Sequence, residues 1–342
     1  TPVIKSIPYV NKPEDITPGV ANWYASTFYD GEDFGSILVK TREGRPIMIK
    51  GNPRFGVNRN GKKGSINARI NSSVITLYDN MRVQSPLMRE GENNWTAVDW
   101  AMADKAIGEN LSKIAASGKK VVLLTNTVIS PSAKAAISAF RAKFGGAVAM
   151  AGNEAPPAGA SSVEHIQYDT ISYSGVTNAN LKSFGQRVFP TYNMGNADVL
   201  VSVNADFLSG WGLTTENTGQ YASRRRPEDA TAEKPMSRHW QFEARMSLSG
   251  ANADKRVMIK PSQVPAVVLA LHDAVAKKTG GASVGGGAVD GVSDNIEKCA
   301  AELVAAKGKS LVICGHNDEG TQTIVNSINM MLGNYGSTID LA

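Results

Sequence analysis

The side chains that most often hold metal ions are scarce in this sequence and unfavourably spaced. Two cysteines, Cys299 and Cys314, are too few for an iron–sulfur cluster or a disulfide framework, and no Cys-x-x-Cys-His haem motif occurs. No histidine falls in a His-Glu-x-x-His pattern, which would place two zinc ligands on one helix face. The spacing therefore predicts no histidine or cysteine metal site. The four histidines are His165, His239, His272 and His316.

His239 has the most suggestive surroundings of these histidines, because Arg238 and Trp240 flank it. It could relay a proton, but a hydrogen-bonded structural histidine is the favoured interpretation. His272 lies among apolar residues of a predicted helix, which favours a position at the edge of the core. No Gly-x-Ser-x-Gly motif occurs and no Ser-His-Asp arrangement can be inferred, so the spacing does not indicate a serine hydrolase.

The glycine-rich segment 279–293 could bind phosphate or act as a linker. It lacks the Lys-Ser or Lys-Thr pair of a P-loop, and no predicted strand leads directly into it. A flexible linker is therefore the favoured interpretation.

Positive charge is modest and scattered. The formal net charge is +5, and the basic residues cluster at Arg224–Arg226. At this triple, pairing with Glu228 and Asp229 or capping of a helix end is favoured over phosphate binding. The charge distribution therefore predicts no nucleic-acid partner.

The elements that position these residues follow from composition and periodicity. With 342 residues, of which 42% are hydrophobic, the chain can bury a large core in two or more lobes. It has no run of eighteen apolar residues, so no membrane-spanning segment of its own is expected. The sequence begins at Thr1, which predicts a processed leader.

Residues 1–94 are predicted to form an extended arm and a β-rich region. Four prolines disfavour regular structure in residues 1–30, which we expect to lie as an arm on another surface. The runs 36–40 and 46–50 predict a hairpin that turns at 42–44, and residues 53–75 predict an exposed loop.

From residue 95 onward, helices and strands alternate, which predicts an α/β fold with parallel layers and right-handed crossovers. We expect an α/β lobe at 95–278, the glycine-rich linker at 279–293 and the start of a further α/β unit at 294–342. A parallel sheet ended there would leave an exposed edge, so the chain is expected to continue. The predicted strands are 121–124, 147–151, 198–203, 256–259 and 310–314. The predicted helices run from Trp100 to Gly118, from Pro131 to Gly145, and over 263–277, 294–306 and 322–332.

Several motifs together resemble the molybdopterin oxidoreductase family. The resemblance implies parallel α/β lobes of that type, with a β-rich N-terminal region that lacks its iron–sulfur cluster. The motifs are Gly44-Arg-Pro46 within 39–53, Leu77–Arg82, Ser85–Arg89, Asn94-Trp95 with Asp99-Trp100, and the turn Leu332–Gly336.

In the family, cysteines before and after the Gly-Arg-Pro hairpin hold a cluster, and a further residue coordinates the metal. No cysteine precedes Cys299 here, so thiolate ligation of a cluster near the hairpin is excluded. The metal-ligand loop would correspond to 167–180, where cysteine is also missing. Asp169, Ser172 or Ser174 could coordinate in principle, but helix N-capping is their favoured role.

The nucleotide contacts implied by the resemblance also depart from the family pattern. Family members use a glycine-containing strand end and a Pro-Gly-Thr-Asp turn whose aspartate contacts the guanine. The corresponding positions are Ser202–Asp206 and Pro261–Val264, so the close-approach glycines are gone and Val264 replaces the acid. We therefore predict no catalytic, cofactor-binding or metal-binding residue in this segment.

Longer segments resemble the large iron–sulfur subunits of alternative complex III, a bacterial respiratory complex that oxidises quinol. Those subunits combine a molybdopterin-type domain without molybdenum with a ferredoxin-like domain that carries the clusters. The resemblance implies that only the first domain is represented here. The segments are Pro2–Tyr9, Tyr24–Thr27, Asn196–Trp211 and Met236–Arg256.

The expected function is a non-catalytic scaffold domain of such a complex, so this segment itself is not expected to be an enzyme. It would hold no cofactor, and electrons would pass through iron–sulfur clusters in a missing C-terminal domain. The implied partners are a quinol-binding membrane subunit and multihaem cytochrome c subunits, on the periplasmic side of the bacterial inner membrane. One alternative is a molybdopterin-dependent oxidoreductase in which an oxygen ligand such as Ser172 replaces the cysteine. A weaker alternative is a free-standing nucleotide-binding protein.

Overall fold

The computed structural model describes residues 11, 14–55, 64–144, 163–232 and 234–341. The chain forms two compact units, of which the first comprises Thr1–Val74 and Ser172–Ala342 and the second comprises Ile75–Ile171. The predicted lobe 95–278 does not follow this division, because its residues fall in both units. The predicted strand 147–151, most of the N-terminal arm and the middle of the predicted loop 53–75 lie outside the described residues.

The described elements are numbered here in chain order. The strands are β1 (Asn22–Tyr29), β2 (Phe34–Arg42), β3 (Arg45–Gly51), β4 (Leu87–Arg89), β5 (Trp95–Ala97), β6 (Val121–Thr125), β7 (Val163–Gln167), β8 (Thr191–Tyr192), β9 (Val199–Val203), β10 (Arg238–Glu243), β11 (Lys255–Met258), β12 (Ser310–Cys314) and β13 (Ile339–Asp340). The helices are α1 (Ala68–Ser72), α2 (Trp100–Ala116), α3 (Pro131–Phe144), α4 (Ser174–Phe184), α5 (Thr214–Ala222), α6 (Leu248–Ala251), α7 (Val264–Thr279), α8 (Ser293–Ala305) and α9 (Glu319–Met331).

The first unit is built on a four-stranded parallel sheet with the order β11-β10-β9-β12. Every residue of β9 and β12 is buried, as expected for strands that are apolar on both faces. The inner sides of α7, α8 and α9 pack with the sheet in one hydrophobic core. The α/β fold with parallel strands is therefore confirmed.

Strand β10 was not predicted from the sequence. Its two faces differ: Trp240 and Phe242 lie in the hydrophobic core, whereas His239, Gln241 and Glu243 are buried on the opposite face. We call these three residues the β10 polar row. Because a half-polar strand lacks the continuous apolar run of a buried parallel strand, the pattern did not indicate its position.

The predicted hairpin is confirmed as β2 and β3, and β1 adds a third antiparallel strand. The two turn residues, Glu43 and Gly44, have φ values of 51° and 75°. Positive φ at both central residues is typical of the type I′ turn that matches the twist of a hairpin. The sheet and α1 enclose a small core of Ile37, Ile49 and Ile70.

The edge of the parallel sheet at β12 is covered by side chains of the same unit. The Asn329 amide accepts from the Val312 backbone N–H at 3.1 Å and donates to the Val312 carbonyl oxygen at 2.8 Å. Gln322 donates to the Cys314 carbonyl oxygen at 2.8 Å, and the Thr338 hydroxyl donates to the Ser310 carbonyl oxygen at 2.6 Å. The edge that we predicted to be exposed is thus satisfied internally. Continuation of the chain stays a prediction.

The second unit contains the antiparallel pair β4–β5, the parallel pair β6–β7, and helices α2 and α3. Helix α2 begins at Asp99, whose carboxylate accepts from the Met102 amide at 2.7 Å. Helix α3 begins with Pro131, after Ser130 caps the Ala133 amide at 3.3 Å. No residue of either helix is buried in the described structure. Among the described residues, none of the helices is both long and apolar enough to span a bilayer.

Candidate functional site at the carboxyl edge of the parallel sheet

The carboxyl ends of β9 and β12 mark the place where a ligand is most expected in the first unit. These strands are neighbours, yet the chain reaches β12 only after it has formed β10 and β11 on the other side of β9. The strand order therefore reverses between them. Doubly wound α/β folds bind ligands in the crevice at such a switch point.

The loops that follow β9 and β12 close this crevice. The Gly315 amide donates to the Val203 carbonyl oxygen at 2.9 Å. A Cβ atom on Gly315 would lie 2.2 Å from the Asn204 carbonyl oxygen, so this position requires glycine. Asn204 has a φ of 55°, and its amide donates to the Phe242 carbonyl oxygen at 2.7 Å. A close backbone approach is thus present, but it joins two loops of the protein.

Asp206, in the same loop as Asn204, holds helix α6 in place. Its carboxylate accepts from the Ser249 amide at 3.0 Å and from the Ser249 hydroxyl at 2.8 Å. Ser249 is fully buried, and its Oγ accepts from the Leu208 amide at 3.1 Å. The carboxylate therefore ties α6 to the loop after β9.

Val264, which stands in place of the family's aspartate, belongs to the hydrophobic core. It is 1% exposed and lies in the same core as Val267 and Leu271 of α7. The preceding Gln263 accepts from the Lys260 amide at 2.8 Å, which closes the turn into α7. This position supplies packing and has no polar group to offer a base.

Ser172 and Ser174, two of the three residues that could in principle coordinate a metal, lie at the start of α4. The Ser174 amide donates to Ser172 Oγ at 3.1 Å, and the Ser172 hydroxyl donates to Ser174 Oγ at 3.0 Å. Asn317, from the loop after β12, accepts from the Gly175 amide at 2.7 Å and donates to Ser174 Oγ at 3.4 Å. The N-cap residue of α4 is Tyr173, which makes no side-chain cap bond, so neither serine caps the helix as the sequence favoured. The Asn317 side-chain oxygen instead accepts from the first turn.

Asp169, the third expected donor, belongs to the second unit. Its carboxylate accepts from the Thr127 amide at 2.8 Å and from the Thr127 hydroxyl at 2.5 Å. It therefore fixes the loop after β6 against the loop after β7.

Glu243, at the carboxyl end of the β10 polar row, was missed by sequence reasoning. Its side chain is 3% exposed and accepts from Arg256 Nε at 2.6 Å and from the Ser247 hydroxyl at 2.5 Å. Burial alone would raise the pKa of Glu243, but the bonds from Ser247 and Arg256 lower it below its ordinary value. A Cβ atom on Gly250 would lie 1.8 Å from Glu243 Oε1. Gly250 leaves room for this buried acid and Arg256 binds it, but nothing in the sequence assigns either residue to Glu243.

His239, in the middle of the same row, is fully buried and hydrogen-bonded through both ring nitrogens. Its Nδ1 lies 3.0 Å from the Tyr221 hydroxyl and its Nε2 lies 3.2 Å from Gln241 Oε1. Burial lowers the pKa of His239 to about 4, although the bond with Gln241 opposes this shift. The imidazole is therefore neutral near pH 7.

Two residues of the arginine triple, Arg224 and Arg225, pair with partners that the sequence did not indicate. Arg224 is buried and donates to Asp198 at 2.6 Å, and Arg225 donates to both carboxylate oxygens of Asp254 at 2.6 and 3.0 Å. The expected pairing with Glu228 and Asp229 is therefore wrong for these two arginines. The partners lie close in space because β9 and β11 run beside β10.

The glycine-rich segment 279–293 does surround an anion, but the anion is Asp273 of α7. This carboxylate accepts from the Ser283 hydroxyl at 2.5 Å, the Val284 amide at 2.8 Å and the Gly286 amide at 2.7 Å. Burial would raise the pKa of Asp273, but these bonds hold it well below its usual range. The segment that was predicted to be a flexible linker is therefore anchored to α7.

Asp273, His272 and Ser327 have the order of contacts of a hydrolase triad. His272 Nδ1 lies 3.1 Å from Asp273 Oδ1, and its Nε2 lies 2.9 Å from Ser327 Oγ. Ser327, however, lies inside α9, where the backbone amides donate to helix carbonyls and leave no oxyanion hole. His272 is also only 2% exposed. We therefore assign these residues to the packing of α7 against α9.

The cysteines and histidines do not assemble into a metal centre in the described part of the chain. Cys299 and Cys314 are buried free thiols whose pKa values are raised by burial. His165 contacts the Thr125 hydroxyl at 2.8 Å. Within the described residues, no group of three or more histidine, cysteine or acidic side chains could hold a metal ion.

Comparisons with known proteins identify the family and the fold of this chain. The model of the molybdopterin oxidoreductase family matches residues 82–331. The chain is similar to acetylene hydratase from Pelobacter acetylenicus, with a TM-score of 0.59 and 13% identity, over 90% of this chain and 43% of the hydratase. It therefore spans less than half the length of that enzyme. A chain of the formyltransferase/hydrolase complex from Methylorubrum extorquens has a TM-score of 0.46 and 17% identity, over 68% of this chain and 55% of its own length. No curated protein matches the sequence.

These findings correct the expectation that this segment is not an enzyme. The matched family model is that of oxidoreductases, and acetylene hydratase, whose fold the chain shares, is itself a catalyst. The fold is thus that of an enzyme family, whatever part of the reaction falls to these residues. Because the family model covers well over half of its length, the chain belongs to the molybdopterin oxidoreductase family.

Proposed function

We propose that this chain is a scaffold domain within an oxidoreductase, the large subunit of a quinol-oxidising respiratory complex of the alternative complex III type. The proposal is supported by the hydrogen bonds and the packing of residues at the carboxyl edge of the parallel sheet. The Gly315–Asn204 contact, Asp206 and the start of α4 are bonded to other groups of the same chain. Among the described residues at this edge, His316 Nδ1 is buried with no hydrogen-bond partner.

The residues at this edge do not fit a pterin nucleotide. The backbone approach that a pyrophosphate would need is taken up by the contact between Gly315 and Asn204. The position that would bind the guanine edge is Val264, which is buried in the core. The start of α4, where the metal ligand would lie, is bonded to Asn317. We therefore assign no step of the reaction to a cofactor at this edge.

The assignment to a respiratory complex depends on the resemblance of four longer segments to the large subunits of alternative complex III. On this proposal, iron–sulfur clusters outside the present segment carry the electrons. The clusters receive the electrons from a quinol-binding membrane subunit and pass them to multihaem cytochrome c subunits. The domain would lie on the periplasmic side of the inner membrane and hold the clusters and the partner subunits in fixed positions relative to one another.

The proposal is tested on the complex purified with this chain in place. We expect quinol-dependent reduction of an electron acceptor, and we expect Ser172→Ala to retain that activity within about twofold. In the alternative, where Ser172 is the metal ligand, the same substitution would remove most of the activity. Asn317→Ala is the matched variant, because it disturbs the same helix start without touching a proposed ligand.

Two outcomes would contradict the proposal. One is a purified complex that contains this chain and does not oxidise quinol. The other is loss of activity in Ser172→Ala while Asn317→Ala stays active, since that pattern is expected of a lost ligand.

A further inference from the structure

Tyr221 and His239 form a phenol–imidazole pair that the proposed function does not use. Tyr221 lies on α5 and is 6% exposed, and His239 lies on β10 and is fully buried. Tyr221 Oη and His239 Nδ1 are 3.0 Å apart. The phenol thus has a base within hydrogen-bond distance, inside the protein and away from bulk water.

Gln241 determines which imidazole nitrogen is the base. Its Nε2 faces two acceptors, Glu243 Oε2 at 3.2 Å and the Ala205 carbonyl oxygen at 3.5 Å, which fixes the orientation of the amide. Gln241 Oε1 therefore faces His239 Nε2, and that nitrogen must carry a hydrogen. In the neutral ring the free lone pair is then on Nδ1, which points at the Tyr221 hydroxyl.

The charges around the pair favour movement of an electron and a proton together. The Arg225 guanidinium lies 5.7 Å from the centroid of the Tyr221 ring. A cation over the ring disfavours a tyrosine radical cation, so an electron can leave readily only if the proton leaves as well. The His239 amide donates to Asp254 at 2.7 Å, and Glu243 lies beyond Gln241. These two carboxylates favour an imidazolium, and the Arg225 guanidinium, which is paired with Asp254, opposes them.

We propose that Tyr221 is a one-electron redox site whose proton is accepted by His239. A high-potential one-electron oxidant takes one electron from the phenol, the O–H bond of Tyr221 breaks, and an N–H bond forms at His239 Nδ1. The products are a neutral tyrosyl radical, an imidazolium and the oxidant reduced by one electron. Reduction of the radical returns the proton to the phenol. Such a residue can donate an electron to strongly oxidising species that reach the domain.

The proton equilibrium of the resting pair is consistent with this step. Burial raises the pKa of Tyr221 to about 12 and lowers that of His239 to about 4. The proton therefore stays on the phenol until an electron is removed. The Asn252 carbonyl oxygen, 2.9 Å from Tyr221 Oη, competes for the same hydrogen but cannot accept the proton itself.

Tyr335 provides a matched control. Its hydroxyl donates to Asn326 Oδ1 at 3.0 Å, so this phenol is also bonded inside the protein, but to an amide that is not a base. Burial raises the pKa of Tyr335 as well. The two tyrosines therefore differ in the basicity of the partner and in the Arg225 guanidinium that lies over the Tyr221 ring.

The test is flash photo-oxidation of the intact protein by a ruthenium(III) polypyridyl complex, with the tyrosyl radical followed by electron paramagnetic resonance in protein that carries ring-deuterated tyrosine. Exposed tyrosines form radicals at a rate that depends on buffer base. They include Tyr24, Tyr78 and Tyr168. We expect Tyr221→Phe to remove the component of the radical signal that forms at a rate independent of buffer base, and Tyr335→Phe to leave that component unchanged. We expect His239→Gln to slow this component by about tenfold or more.

The proposal is overturned if the buffer-independent component persists in Tyr221→Phe, or if folded His239→Gln forms it at the wild-type rate. Should His239→Gln fail to fold, the buffer series on the wild type decides, because the absence of a buffer-independent component means that every proton leaves to solvent. This proposal depends on the geometry of the pair alone. It is therefore independent of quinol oxidation and of the fate of Ser172→Ala.

Discussion

Helices α7 and α2 have similar lengths and similar apolar periodicity, but only α7 is buried. Eight of the 16 residues of α7 are buried, whereas none of the 17 residues of α2 is. In the first unit, α7 packs on a four-stranded sheet and against α8 and α9. The sheet of α2's own unit has two parallel strands in its described part.

The difference shows that periodicity predicts which face of a helix is apolar but not how much of that face is covered. Coverage depends on how many strands and helices surround it. Stability should therefore be concentrated in the core of the first unit and in the polar groups that brace it. Substitutions in the two units test that contrast.

Leu271→Ala should destabilise the first unit by roughly 2–5 kcal/mol, because it opens a cavity beside a side chain that is fully buried in α7. Denaturant unfolding, followed by a probe within the first unit, measures this effect. A loss below about 1 kcal/mol would mean that the core of this unit is loosely packed.

Gly250→Ala should cost about 3 kcal/mol, because the new methyl group would lie 1.8 Å from Glu243 Oε1 and displace the buried carboxylate from Arg256. Gly210→Ala is the control, since a Cβ atom there meets nothing within 4 Å. The two variants are compared by thermal unfolding. Equal melting temperatures would contradict the role assigned to Glu243.

The stability of the first unit should fall between about pH 6.5 and pH 4 through His239. Its folded pKa is about 4 and the ordinary value is about 6.5, so the unfolded state binds the proton first as the pH falls. The free energy of unfolding falls by about 3 kcal/mol in total, and this fall is complete only near the folded pKa of His239. In His239→Gln this component should be absent. Parallel pH profiles of unfolding free energy in the wild type and the variant would show that His239 does not titrate as described.

Asp273→Asn should release the glycine-rich segment at a cost of about 1–2 kcal/mol, because an amide oxygen is a weaker acceptor than the carboxylate for the three donors. Hydrogen exchange at the Val284 and Gly286 amides should become faster, while exchange in β9 stays unchanged. Slow exchange at both amides in the variant would show that the segment is held by other contacts.

Ile107→Ala, in α2, should change stability by no more than about 0.5 kcal/mol, since the side chain is 57% exposed. It is the counterpart of Leu271→Ala and is measured by denaturant unfolding as well. A loss as large as that of Leu271→Ala would mean that the apolar face of α2 is covered in solution.

Much of the fold could be predicted wherever one stretch of sequence carries the whole signal. Strand β12 was predicted at its observed bounds because it is a continuous apolar run, and α7 lies within two residues of its prediction. Proline at its start and Gly280, with a φ of 80°, mark the ends of that helix. The hairpin was likewise indicated by its own turn residues.

The remaining features depend on partners that are distant in the sequence. Strand β10 could not be predicted because the polar side chains of the β10 polar row would be unfavourable in the interior without hydrogen-bond partners. These partners are Arg256, Ser247 and Tyr221, and the sequence does not assign them to the row. The covering of the β12 edge by Asn329 is a second case. The anchoring of the glycine-rich segment by Asp273 is a third, since composition alone favours a linker.

The positions at the carboxyl edge where a pterin nucleotide and its metal would be held are the Gly315–Asn204 contact, Val264 and the start of α4. They make contacts within the protein and do not fit a pterin cofactor. The ratio of molybdenum to protein tests this conclusion. It is measured by elemental mass spectrometry on the undigested protein purified from its native source. We predict molybdenum at background level. One molybdenum atom per chain would contradict the account.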